Sequence, residues 1–171
     1  MFFLSFAEKY CIIKEIPSFN DLNNILDSVY NKNGKAFGYY NGDKTYLLEI
    51  KNLSIMENIM PNASKALREL DVTLLHTLLL EEYFGIDKAV MAAGGRLTYT
   101  RDAFEAKELT DKGADCCFIL NPTRVVEIRD VALATEKMPQ KSTYFYPKLI
   151  TDALAQVRYP GTGKDLVSAE M

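Results

Sequence analysis

The run MPQKSTYFYPKL, residues 138–149, sets Lys141, Ser142, Thr143 and Lys148 among three aromatic rings and two prolines, with neither a helical nor an alternating period. Two ammonium groups and two hydroxyls suit a phosphate or a carboxylate. Lysine brings a mobile point charge, and hydroxyls donate hydrogen bonds in whatever direction the guest requires. The competing role is mechanical: Tyr144, Phe145 and Tyr146 cover a core while the lysines stay in water. Further groups for an anion pocket come earlier, at Arg101-Asp102 and at Asn121-Pro122-Thr123, each just before an expected helix. Helix starts offer unpaired N–H groups and partial positive charge, to which Arg101 adds a full one. Tyr99, Asp102, Tyr146 and His76 stand at the margin of this set. Asp102 and Glu105 read as a helix-capping pair rather than an acid and base couple.

Other reactive residues point away from catalysis. His76 is the only histidine; on a helix it shares a side with Thr73, Thr77 and Leu80, which fits a hydrogen-bonded structural ring better than a general base. Cys11, Cys116 and Cys117 lack zinc-ligand spacing, and the adjacent pair lacks the two-residue spacer of a redox motif. In an apolar strand such thiols are inert. GGRL and PGTGK are glycine signals without a strand before and a helix after, so neither is a phosphate loop. No metal and no cofactor is expected.

The elements that must position these residues follow from periodicity. YCIIKEI reads as a strand, and Ser18 starts a helix with Phe19, Leu22, Ile25, Leu26 and Val29 on one side, ended by Gly34. KAFGYYNGDKTYLLEIK is a hairpin around Asn41-Gly42. DVTLLHTLLLEEYFG, apolar on nearly every face, predicts a buried helix capped by Asp71 and stopped by Gly85. RLTYT, DAFEAKELTDKG, ADCCFIL and TRVVEIRDVALATE predict strand, helix, strand and helix, with Thr123 as the last cap. The expected fold is therefore α/β: a mixed sheet with an antiparallel hairpin and a C-terminal βαβ unit, helices packed on the sheet. Parallel strands in that unit would bring the ends at Arg101 and Thr123 to one edge. Residues 1–150 form a single domain, and 151–171 a C-terminal extension, partly flexible.

Composition removes several classes of function. With 48% hydrophobic and 25% charged residues the chain is globular, and a net charge of -3 gives no footprint for nucleic acid or an anionic membrane. Its apolar runs are far shorter than the ~20 residues of a membrane span. The apolar start lacks a basic region and does not read as a signal peptide. Three cysteines, two of them adjacent, fit a reducing cytoplasm.

LDVTLLHTLLLEEYFGI, LTYTRDAFEAKELTDKGADCCFILNPT and MPQKSTYFYPKL together resemble the C-terminal half of the bacterial family called domain of unknown function 1015. The resemblance runs from about residue 6 to 149, and its last block is the most specific. It implies a truncated or split member, because the family's N-terminal half bears an Asp-Gly-His-His-Arg block absent here. ITDALAQV also departs from the short glycine-containing ending of the family. The absent block is similar to motifs of the ParB and sulfiredoxin-like group, which includes nucleotide-using kinases of free serine. By that likeness a complete protein would be a phosphotransferase or phosphatase acting on a small hydroxy amino acid such as serine. This chain alone would supply substrate clamps, without turnover, and its partner would be the missing N-terminal half or a second copy. A purely structural or interaction module is the remaining alternative.

Overall fold

The computed structural model describes residues 2–139 and 142 of the 171-residue chain. A short helix α1 (Phe2–Ala7) leads into strand β1 (Cys11–Ile16). A 3-10 turn, Phe19–Asp21, runs into helix α2 (Leu22–Tyr30), with the Ser18 hydroxyl accepting from the Asn20 N–H. The turn that stops the helix after Tyr30 closes at Asn33, which takes the left-handed conformation (φ 59), while the N–H of Gly34 donates to the Val29 carbonyl. The expected glycine stop is thus displaced by one residue, because asparagine tolerates that conformation too.

Strands β2 (Ala36–Tyr40) and β3 (Thr45–Ile50) form the expected hairpin, with Gly42 at φ 87 and the Asn41 side chain accepting from the Asp43 and Lys44 N–H groups. Short helices α3 (Ile55–Ile59) and α4 (Lys65–Arg68) precede α5 (Asp71–Leu75), which continues as a π-helical turn, His76–Glu81. Gly85, at φ 62, follows the end of this helix. Helices α6 (Lys88–Ala93) and α7 (Ala103–Asp111), strand β4 (Cys117–Ile119) and helix α8 (Val125–Leu133) complete the order.

The sheet runs β1-β3-β2-β4, and all three pairings are antiparallel. The α/β class, the hairpin and the helices packed on the sheet are as expected; the parallel crossover is not. RLTYT is no strand, for two physical reasons. Gly94 and Gly95 turn the chain just before it (φ 73 and 87), and the segment lies mostly exposed, Leu97 packing on the core but no strand pairing with it. Its side chains bond locally instead, Arg96 to the Phe84 carbonyl at 3.0 Å.

Two apolar layers sandwich the sheet, and strict alternation along β2 and β3 sorts residues between them. Phe37, Tyr39 and Leu48 face α1, α5 and the π turn, where Phe3, Leu74, Leu78 and Leu79 complete one core. Ala36 and Leu47 face α2 and α7, joining Leu22, Leu26 and Ile119 in the other. Gly38 is needed on that second face: a Cβ there would stand 2.3 Å from Leu22 Cδ2. No helix among the described residues is long and apolar enough to cross a membrane.

Candidate functional site

Asn121 and Pro122 follow β4, and the chain then turns into α8 one residue later than its sequence suggests. Arg124, not Thr123, precedes the first helical residue, and its backbone N–H donates to Glu127 Oε2 at 2.8 Å. A glutamate three residues into a helix reaches back in this way, satisfying an end group and favouring the positive pole of the helix. The Thr123 hydroxyl is thereby released from capping. It donates instead to the carbonyl of Ser142, 19 residues on, at 2.8 Å. Ser142 sits in a tight turn, its own hydroxyl donating to the Pro139 carbonyl at 2.6 Å. The chain that leaves the far end of α8 has therefore returned to the start of that helix by Ser142.

A compact ion cluster surrounds this junction. The Lys35 ammonium lies 3.0 Å from Asp71 Oδ1 and 3.0 Å from Glu127 Oε1, and all three side chains are largely buried. Arg124 pairs with Asp27 at 2.8 Å, and both cations lie over the Tyr30 ring, at 4.9 Å for Arg124 and 5.5 Å for Lys35. Burial pushes the Asp71 carboxyl above its usual range, opposed by the Lys35 charge beside it. For Lys35, burial works against the charge, but Asp71 and Glu127 outweigh it and raise the ammonium's pKa. Asp71 thus locks the core rather than capping α5, which has no side-chain cap. Outside the cluster a cleft of about 140 Å³ is lined by Lys35, Ala66, Glu69, Glu127 and Asp130.

A second hollow, about 380 Å³, opens at the other end of the hairpin, lined by Glu15, Phe19, Tyr40, Asp43, Lys44 and Lys107 among others. Its floor is the Tyr40 ring, with Lys107 4.7 Å above it and Phe19 5.8 Å away. The Tyr40 hydroxyl lies 2.7 Å from Asp111 Oδ1, and Lys107 pairs with the same carboxylate at 2.6 Å. These neighbours push the Asp111 carboxyl below its usual range, the Lys107 hydrogen bond first.

Several of the described residues expected to bind an anion make bonds within the fold. Asp102 caps α7, accepting from the N–H groups of Phe104 and Glu105. Phe104 rests against Phe19 at the entry to α2, whereas Asn121 donates to the Leu26 carbonyl, farther along that helix, at 3.1 Å. Without a parallel crossover, nothing in the topology draws the exposed Arg101 to Asn121 and Thr123. The Tyr99 hydroxyl faces Met91 Sδ at 3.6 Å, and burial raises its pKa. His76 opens the π turn, half buried, and desolvation lowers its pKa. Lys141, Thr143, Tyr146 and Lys148 lie outside the described residues. Burial pushes the thiols of Cys11 to about 12 and Cys116 to about 11, so neither is a nucleophile near neutrality.

Sequence reasoning missed Lys35, Asp71, Glu127 and Arg124 as a group. Lys35 and Glu127 stand 92 residues apart, and no local pattern joins them. The one available signal was a lysine set directly before the fully apolar strand β2, where a charge must find a partner or reach water. No family model, no curated protein and no solved structure matches this chain.

Proposed function

We propose that this chain is an accessory α/β domain without turnover of its own, and that Ser142 acts as a clasp, tied back onto the start of α8 through Thr123. One observation carries this reading: three of the described polar candidates are already spent on internal bonds. Thr123 serves Ser142, Asn121 serves Leu26 and Asp102 caps its own helix. An accessory role agrees with the resemblance to the C-terminal half of domain of unknown function 1015, whose N-terminal half carries the histidine block. A protein carrying the family's N-terminal half, or a second copy, is the partner this role implies, and the free thiols suit a reducing cytoplasm. Replacing Thr123 by valine keeps the shape and removes the donor. It should lower Tm by about 2–4 °C, the equivalent of about 1 kcal/mol, while Thr123→Ser keeps most of that stability. A valine variant as stable as the parent overturns the clasp.

A second reading is favoured by the same fold-back: Lys141 and Thr143 are the covalent neighbours of Ser142, so a small phosphate or carboxylate metabolite could dock there. Charge decides what this requires. Around the junction two cations, Lys35 and Arg124, meet three carboxylates, Asp27, Asp71 and Glu127. A further anion is repelled unless Lys141 and Lys148 both contribute. Phosphoserine and inorganic phosphate should then raise Tm, and Lys141→Ala and Lys148→Ala should each abolish the rise. A flat response to both compounds ends this reading. Product formed from serine, nucleotide and magnesium by the chain alone would instead favour the phosphotransferase alternative.

A further inference from the structure

The hollow at the end of the hairpin is floored by aromatic rings and is short of hydrogen-bond donors. Tyr40 is only 6% exposed, and its hydroxyl has a single hydrogen for two acceptors, the Gly42 carbonyl at 2.9 Å and Asp111 Oδ1 at 2.7 Å. Thr45, also 6% exposed, lines the hollow, and its hydroxyl is bonded to no described residue. Charge points the same way. Lys44 pairs with Glu15 at 3.0 Å and Lys107 with Asp111 at 2.6 Å, which leaves Asp43 as the lining charge without an ion pair among the described residues.

We propose that this hollow binds a small organic amine, a primary ammonium carried on an apolar or aromatic skeleton, for which Lys107 is the chain's own stand-in. The Lys107 ammonium lies 4.7 Å from the centre of the Tyr40 ring and against Asp111, so this face of the ring already accepts a cation backed by a carboxylate. Lysine is a point charge on a flexible stem, and its pair with Asp111 is exposed enough that Lys107 swings out to water at little cost. A guest ammonium in its place gains the Tyr40 ring and Asp111, is further attracted by Asp43, and brings three hydrogens to a site with too few. Its skeleton rests on Ile16, Pro17 and Phe19, and Phe104, 56% exposed and 5.7 Å from Phe19, continues the aromatic wall. A volume of about 380 Å³ suits a metabolite rather than a bare ion, since small-molecule pockets begin near ~300 Å³. An anion would meet the unpaired Asp43 and a surplus of acceptors. The site is independent of the clasp and of the anion reading at the start of α8.

The test titrates the full chain with phenethylamine, followed by amide NMR shifts, beside its uncharged and anionic analogues 2-phenylethanol and phenylacetate. Phenethylamine should shift the amides of Gly42, Asp43, Thr45 and Lys107 saturably, and neither analogue should do so. Asp43→Asn should weaken binding about fivefold, the effect of one exposed charge contact. Lys107→Met removes the internal competitor and should instead tighten binding about threefold. Lys112→Met, the same loss of charge at an exposed position ending that helix, should leave it unchanged. The proposal fails if phenethylamine gives no saturable shift, if either analogue binds as well, or if Asp43→Asn has no effect. Unchanged or weaker binding to Lys107→Met also overturns it, because Lys107 would then be part of the floor rather than a competitor. Equal tightening by Lys112→Met would reduce the effect to bulk charge and count equally against it.

Discussion

The two-sided core around β2 and β3 and the junction at the start of α8 are built by different forces. In the first, β2 is buried along its whole length, and period-two alternation sends Phe37 and Tyr39 to one layer and Ala36 to the other. In the second, α8 leaves Val125 and Leu133 in water and is attached by ions and hydrogen bonds: Lys35 to Asp71 and Glu127, Arg124 to Asp27, Thr123 to Ser142. Apolar burial is non-directional and tolerates small errors of placement. The polar junction depends on each partner being present, since a buried charge left alone costs more than the pair contributes.

That contrast can be broken most severely at Lys35. Lys35→Ala strands the buried Asp71 carboxylate and should destabilise by about 3–5 kcal/mol, read as a fall in the denaturant midpoint, while Lys35→Met with Asp71→Leu should recover much of the loss. The same pair has a pH signature. Because the Lys35 pKa is raised in the folded state, its contribution is complete below the ordinary lysine range and disappears as pH rises through the folded value. Thermal unfolding between about pH 9 and 11.5 should therefore show a steeper decline for the parent than for the double variant. Parallel declines would remove Lys35 from the account.

On the apolar side, Gly38→Val should cost about 1–3 kcal/mol. The fully buried Leu22, whose methyl group would stand 2.3 Å from the new Cβ, cannot retreat without disturbing its own core. Unchanged stability would mean that α2 is looser than the described packing. Asp102→Ala, which removes two bonds from the first turn of α7, should cost about 1 kcal/mol and expose that helix to faster hydrogen exchange. Lys107→Met on α7, beside the exposed end of the hairpin, should shift stability by no more than about 0.5 kcal/mol, since its pair with Asp111 lies largely in solvent.

The same contrast explains what the sequence disclosed. KAFGYY and TYLLEI alternate, Asn41-Gly42 turns between them, and β1 and α2 have their own periods, so the sheet and the α2 side were readable from local pattern. Asp102 announced α7 because its cap is a three-residue signal. Asp71 looked equally like a cap, but the buried ammonium of a lysine distant in the chain claimed it. Thr123 lost the cap position to its neighbour because Glu127, rather than the hydroxyl, satisfies the helix start. RLTYT carries β-branched and aromatic residues without a partner strand, and strand propensity alone does not create one. The π turn at His76 and the short helix α1 have no distinct sequence period. The site was legible in part: a return of the chain toward α8 could be posed as a question from the prolines and length of MPQKSTYFYPKL, but the tie at Ser142 could not, since a hydroxyl-to-carbonyl bond across 19 residues leaves no pattern in either stretch.

The clasp is tested most directly by the exchange rate of the Ser142 amide, whose N–H donates to Pro139 only while the turn is closed. In the parent chain this amide should exchange more slowly than in an unfolded peptide, and Thr123→Val should speed it about fivefold, the factor matching the loss of about 1 kcal/mol. An amide that exchanges at the free-peptide rate in the parent, or equally fast in both proteins, would contradict the clasp and the accessory role built upon it.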